Sequence, residues 1–226
     1  VRLASTAGAA VVVLCTATLG CTAAPSSPTP PAGRVQAHTG LAAEVTGVPP
    51  EALGATYRPG CPVGPDRLRL IRMNHWGFDG RVHRGELVVH ERAVRPLLKV
   101  FGEVFEAKFP IRRMRPAAAY GGDDEQSMAD DNTSAFNCRQ VTGDAGRISR
   151  HAYGDAVDVN PVENPYVDRG GTPHPAAGRR HLRRDPPAPG MIRPGDVVTR
   201  AFEDVGWQWG GDWSNPDYQH FSATGG

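Results

Sequence analysis

The chain has 226 residues and a net charge of +1, and its 27 glycines and 21 prolines make up about a fifth of its length. Only 22% of the residues are charged, which excludes a coiled coil, a disordered charged tail and a polycationic nucleic-acid binder. The 39% that are hydrophobic suffice for one core in one loop-rich domain. The basic residues are 23 Arg and only two Lys, Lys99 and Lys108. Pro96 and Phe105 stand three residues before those lysines. There is thus no Ser-x-x-Lys motif, which argues against active-site serine chemistry of the penicillin-binding type.

Gly8 to Leu19 is a small and apolar run preceded by one charge, Arg2. Its length suits the apolar region of a signal peptide and is too short for a membrane span. Leu19-Gly20-Cys21 resembles the lipobox of bacterial lipoproteins, which implies a lipid on Cys21; ordinary cleavage after Ala24 is the alternative. Both readings export the chain to the cell envelope, anchored or secreted. Residues 1–21 are read as the signal segment, 22–65 as a Pro/Ser-rich spacer and loosely packed arm, and 66–226 as the functional domain. Beyond Cys15 and Cys21, two cysteines remain, Cys61 and Cys138. In an exported protein such a pair is expected to form a disulfide.

Leu68 to Trp76 alternates as a strand does, and Glu86 to His90 forms another, with Gly77, Asp79 and Gly80 marking a hairpin turn between them. Between Glu91 and Phe109, apolar residues at Val94, Leu97, Leu98, Phe101, Val104 and Phe105 describe one helix face. Pro96 is expected in the first turn of the regular part, and Pro110 ends it. Ile111 to Met114 reads as a short strand, and Val197 to Val205 as a shorter helix stopped at Gly206. Short strands and separated helices give an α+β fold, a small antiparallel sheet with flanking helices. The Pro/Gly-rich stretch from Asp168 to Gly190, with Arg169, Arg179, Arg180, Arg183 and Arg184, reads as a solvated loop that also holds His174 and His181. His83 and His90 are read as structural.

The chemistry concentrates in two clusters. Ser149-Arg150-His151-Ala152-Tyr153-Gly154-Asp155-Ala156-Val157-Asp158 places an imidazole and a carboxylate seven residues apart, with a glycine that lets the chain turn between them. The apolar residues around Asp158 suggest a strand. Near the end, Trp207-Gln208-Trp209-Gly210-Gly211-Asp212-Trp213 leads to Asp217-Tyr218-Gln219-His220. Two His and one Asp make a sound three-ligand set for catalytic zinc, leaving Asp217 free as a base. Singly, each has a plainer reading: a hydrogen-bonded structural His, or an Asp capping a turn. The three tryptophans between 207 and 213 read as core more readily than as pocket wall.

Together, Ser-x-His-x-x-Gly-x-Ala-x-Asp and the downstream Asp-x-x-His resemble the zinc D-alanyl-D-alanine peptidases, over roughly Arg67 to Ser222. That family includes vancomycin-resistance carboxypeptidases and L-alanyl-D-glutamate endopeptidases; the Gly210-Gly211-Asp212-Trp213 run looks most like the latter branch. The resemblance implies one zinc per domain, on His151, Asp158 and His220, with Asp217 as acid/base and Arg139 supporting the scissile carbonyl. It also implies Ser149 touching substrate, and the small α+β fold shared with the hedgehog signalling domain. The implied function is hydrolysis of peptidoglycan stem peptides, foremost as a D-Ala-D-Ala carboxypeptidase. The implied partners are peptidoglycan peptides and no nucleic acid, with membrane contact only through a lipid anchor, for a monomer. Three alternatives stay open: an L-Ala-D-Glu endopeptidase on the same site, a cysteine peptidase using Cys138 with His151 as base, and a non-catalytic zinc or wall-binding module.

Overall fold

A computed structural model describes Val1, residues 40–141 and residues 144–225. The signal segment with Cys15 and the lipidation candidate Cys21, and the spacer as far as residue 39, lie outside the described residues. Among the described residues no helix is long and apolar enough to cross a membrane. The elements run in the order β1 (Glu44–Gly47), α1 (Pro50–Leu53), β2 (Leu68–Trp76), β3 (Val82–His90) and α2 (Glu91–Glu106). Next come β4 (Arg113–Met114), α3 (Asp124–Ala129), β5 (Asn132–Thr133), β6 (Gln140–Val141), β7 (Asp144–Ile148) and β8 (Ala156–Asp158). The chain closes with β9 (Tyr166–Val167), β10 (Pro173–His174), α4 (Val197–Glu203), β11 (Gln208–Trp209) and β12 (His220–Ser222). This is a mixed α+β fold of small, mostly antiparallel sheets.

The largest sheet is antiparallel in the order β1-β2-β3, and both of its faces are covered. Alternation in β2 sends Ile71 and Met73 to one side, where they meet Leu87 and Val89 of β3 and Leu97, Val100, Phe101 and Val104 of α2. Leu68, Leu70 and Val88 face the other way and pack on Leu53, Phe136, Cys138 and Ala152. The first core extends through Val157 of β8 and Phe221 of β12, which pair in the antiparallel sheet β11-β12-β8, to Phe202, Trp207 and Trp209. One apolar body therefore joins the long hairpin to the strands that carry the second cluster.

The hairpin turn falls where Gly77, Asp79 and Gly80 stand, although β3 starts at Val82, four residues before the expected strand. The helix starts at Glu91, so Pro96 sits inside it instead of in its first turn. His90 accounts for the earlier start: its Nδ1 accepts the backbone N–H of Arg92 at 3.1 Å and caps the helix. The short strand shrinks to Arg113–Met114 and pairs in parallel with β5. The arm expected through residue 65 is a packed part of the fold over its described portion. There β1 pairs with β2, and Leu41 and Leu53 are buried, so the domain begins well before residue 66.

The loop from Asp168 to Gly190 also differs from its expectation. Arg169, Arg179, Arg180 and Arg183 are exposed, but Arg184 is half-buried and serves as a tie. Its guanidinium donates to the carbonyls of Glu163, His181 and Ile192 and to Asn164 Oδ1, and it lies 4.3 Å from the Tyr218 ring centroid. His174 is held by Asp168 and stacks on Tyr166, so it too is partly packed.

Candidate metal centre

The two sequence clusters meet through strand register. In the antiparallel β12–β8 pair His220 lies directly opposite Asp158, which places both side chains on one face, a short Cβ–Cβ distance apart. His151 enters from the other side on a one-turn 3-10 helix, Arg150–Tyr153. Ser149 caps that turn by accepting the His151 N–H on its hydroxyl at 3.3 Å. Gly154 then turns the chain into β8 with φ +69, and a Cβ there would stand 2.6 Å from the backbone nitrogen of His90. The glycine between imidazole and carboxylate is thus required twice, by conformation and by space.

All three residues are buried, at 3–6% exposure. His151 Nε2 lies 3.1 Å from Asp158 Oδ2 and 3.2 Å from His220 Nδ1, and His220 Nδ1 lies 3.1 Å from Asp158 Oδ1. His151 Nδ1 lies 2.6 Å from the carbonyl oxygen of Ala135. A carbonyl only accepts, so Nδ1 carries the proton and Nε2 points its lone pair at His220 and Asp158. Two imidazole nitrogens and a carboxylate thus converge on one buried point, a group that could hold a metal ion. The donor set fits zinc: bonds of about 2.0–2.1 Å in a tetrahedron separate ligand atoms by about 3.3 Å, close to the distances found.

The electrostatics agree. Burial alone would push the Asp158 carboxyl up, yet His151 and His220 hold it well below the usual carboxylate range. Burial opposes charging of His151, but Asp158 outweighs it and raises that imidazole. Around the triad, Trp213 is half-buried with its ring 5.3 Å from that of His220, whereas Trp207 and Trp209 belong to the core. Asp217 is fixed by a backbone hydrogen bond to Gly210 at 2.9 Å and by the turn in which His220 N–H donates to its carbonyl at 3.1 Å. A Cβ on Gly210 would approach the Asp217 carbonyl to 2.7 Å, so Gly210 lets the chain close behind this acid. The Asp217 Oδ1 atom is buried with no hydrogen-bond partner among the described residues. Burial, then the neighbouring Asp158, lift this carboxyl from 3.8 to about 7.

Arg139 is half-buried at the edge of this group, and its Nη2 lies 2.7 Å from Asp124 Oδ2. It is close enough for its charge to act on both His151 and Asp217. Its carbonyl accepts the Ser149 N–H at 3.0 Å, which ties it to the His151 turn. Ser149 itself is buried and occupied with capping. Cys61 and Cys138 form a disulfide with an S–S distance of 2.04 Å. A sulfur so bonded has no thiolate, so the cysteine-peptidase alternative lacks its nucleophile in this structure. Sequence reasoning missed Asp124: it follows another acid, Asp123, at the start of a short polar helix, and nothing local distinguishes it from a cap.

A family model described as D-alanyl-D-alanine carboxypeptidase matches residues 142–223. No curated protein and no solved structure matches the chain. The matched stretch runs from β7 to the end of the described β12 sheet and contains His151, Asp158, Asp217 and His220, while Arg139 stands just before it. The segment that carries the whole His–Asp–His cluster is thereby similar to the D-alanyl-D-alanine carboxypeptidase family.

Proposed function

We propose that this chain is a zinc-dependent peptidase that hydrolyses peptidoglycan stem peptides, removing the terminal residue as a D-Ala-D-Ala carboxypeptidase. The observation that carries the reading is the convergence of His151 Nε2, both Asp158 oxygens and His220 Nδ1 within 3.2 Å, beside a buried, unpartnered Asp217 oxygen. His151, Asp158 and His220 would hold a zinc ion, which would supply an acidified water and Lewis-acid polarisation of a peptide carbonyl.

The chain's own residues do the rest. The Ala135 carbonyl keeps the proton of His151 on Nδ1, so Nε2 remains a ligand. Asp217 accepts a proton on its carboxylate as water attacks and returns it to the leaving amine. Without a metal, burial and Asp158 raise this carboxyl to about 7, and a dication alongside would bring it down toward the carboxylate that accepts the proton. Arg139 is permanently charged and stabilises the oxygen of the scissile carbonyl as negative charge develops there. Trp213 covers one side of His220 and helps to exclude bulk water. Ser149 holds the His151 turn, and its family role toward substrate is part of the same proposal.

The L-Ala-D-Glu endopeptidase reading uses the same atoms and is favoured by the Gly210-Gly211-Asp212-Trp213 run that places Trp213 on His220. Mass spectrometry of purified muropeptides after incubation with zinc-loaded protein separates the outcomes. Loss of one terminal alanine is expected. Scission between L-Ala and D-Glu makes the endopeptidase, and intact muropeptides with every metal leave a binding module. Cell-envelope location, a lipid on Cys21 and a monomeric state belong to this proposal; palmitate incorporation that vanishes in Cys21→Ala tests the anchor.

A further inference from the structure

We infer that Asp124 is a positioning residue for Arg139, and that the short helix α3 exists at this place to deliver its carboxylate. The inference rests on the proposed role of Arg139 at the scissile carbonyl.

An arginine has four rotatable bonds, so stabilising a developing charge requires that something hold its guanidinium in place. The backbone around Arg139 is fixed from two sides: Cys138 is bonded to Cys61, and the Arg139 carbonyl accepts from Ser149. Neither contact reaches the guanidinium. Asp124 Oδ2 does, at 2.7 Å from Nη2, and both side chains are only about a fifth exposed. Partial burial strengthens such a charge-assisted contact and protects it from water. The Gln140 carbonyl takes a second hydrogen bond from Nη1 at 3.1 Å, so the fork is held at two of its nitrogens.

Asp124 is itself well anchored. Asp123 caps α3 by accepting the Gln126 N–H at 3.0 Å, which sets the first turn on which Asp124 stands. The other end of α3 is fixed from within the domain. Ser127 Oγ accepts from Asn132 Nδ2, and Met128 receives a contact from Gln219, the neighbour of His220. The carboxylate therefore stands on an element held by β5 and by Gln219, the residue before His220. It also lies near enough for its charge to act on His151 and Asp217. Burial and the neighbouring Asp158 push the Asp124 carboxyl up, and the Arg139 guanidinium acts against them.

The test combines a probe of the guanidinium with kinetics. In zinc-loaded wild type, the 15N-detected Nε–H group of Arg139 is expected to be ordered on the picosecond–nanosecond scale. Asp124→Asn should lower that order parameter, and Asp124→Glu should restore part of it. With a muropeptide substrate, Asp124→Asn should lower kcat about tenfold or more at nearly constant KM. In an Arg139→Ala background the same change should have little further effect. Both Asp124 variants should still bind zinc stoichiometrically, since neither removes a ligand. An Arg139 side chain equally ordered in Asp124→Asn overturns the inference, whatever the activity. So does a full additional loss of kcat in the Arg139→Ala background. A guanidinium that loosens in Asp124→Asn of a wild type that cuts no muropeptide keeps the positioning and rejects the peptidase reading instead.

Discussion

At the scale of single residues, the site is built from contacts that set protonation. The Ala135 carbonyl decides which nitrogen of His151 bears hydrogen, so the ligand set does not depend on pH for its tautomer. His151→Ala is expected to abolish stoichiometric zinc binding, measured by metal analysis after dialysis. Asp217→Asn should keep zinc and lose hydrolysis by at least about a hundredfold, since the proton carrier alone is removed. The same residue has a signature in the metal-free protein. Its carboxyl is raised from 3.8 to about 7, so the folded chain holds a proton that the unfolded chain has released. Stability is then greatest below about pH 4 with respect to this group and falls as pH rises toward 7. Metal-free Asp217→Asn should lack that fall and unfold at higher denaturant than wild type at pH 8, with the difference shrinking at pH 4. The cluster of His151, Asp158 and His220 and the neighbouring Asp217 were legible as candidates because each lies in a short motif of fixed spacing. Asp124 was not: its partner is fifteen residues away across a turn, and an acid beside another acid at a helix start looks like a cap.

Elements explain why those motifs hold their shape. The Asp-x-x-His spacing is a hydrogen-bonded turn, and the β12–β8 register brings its histidine opposite Asp158. Gly154 is where turn and strand meet. Gly154→Ala should cost about 1–3 kcal/mol in backbone strain, with more for the contact at His90, read as a lower denaturant midpoint. The turn after β8 holds a further titrating pair. Glu163 is buried beside Asp131, and burial with that hydrogen-bonded neighbour raises its carboxyl from 4.5 to about 8. Wild type should therefore lose stability between about pH 4.5 and 8 from this group, and Glu163→Gln should be the more stable protein at pH 9. Equal thermal unfolding of the two proteins at pH 9 would count against the assignment. The long hairpin and α2 were readable from alternation and from steps of three and four. The early start of α2 was not, because its cap is a histidine, a residue rarely used so. Arg184 looked like one of five loop arginines, and only the three-dimensional return of Glu163, Asn164 and Ile192 to one place distinguishes it.

Over the whole molecule, the glycine and proline excess that marks the composition serves distinct ends. Part of it shapes the turns at Gly154 and Gly210, and part lies in the loop that Arg184 ties down. The arm before residue 66 carries no periodicity that a sequence could reveal, since β1 is an exposed four-residue edge strand. Its place is set by pairing with β2 and by the disulfide from Cys61 to Cys138, one residue from Arg139. Closing so long a loop contributes about 4–4.5 kcal/mol in the chain-entropy model, often less in practice. Reduction should lower the melting temperature and reduce hydrolysis through a less ordered Arg139, whereas reduced protein with full activity would separate the bond from the site. The proposed chemistry requires a metal between two histidines and an aspartate. Anomalous diffraction at the zinc edge, from crystals of the zinc-loaded protein, tests it most directly. A single peak within bonding distance of His151 Nε2, Asp158 and His220 Nδ1 is the predicted result; a peak elsewhere with these three atoms unmetallated would contradict it.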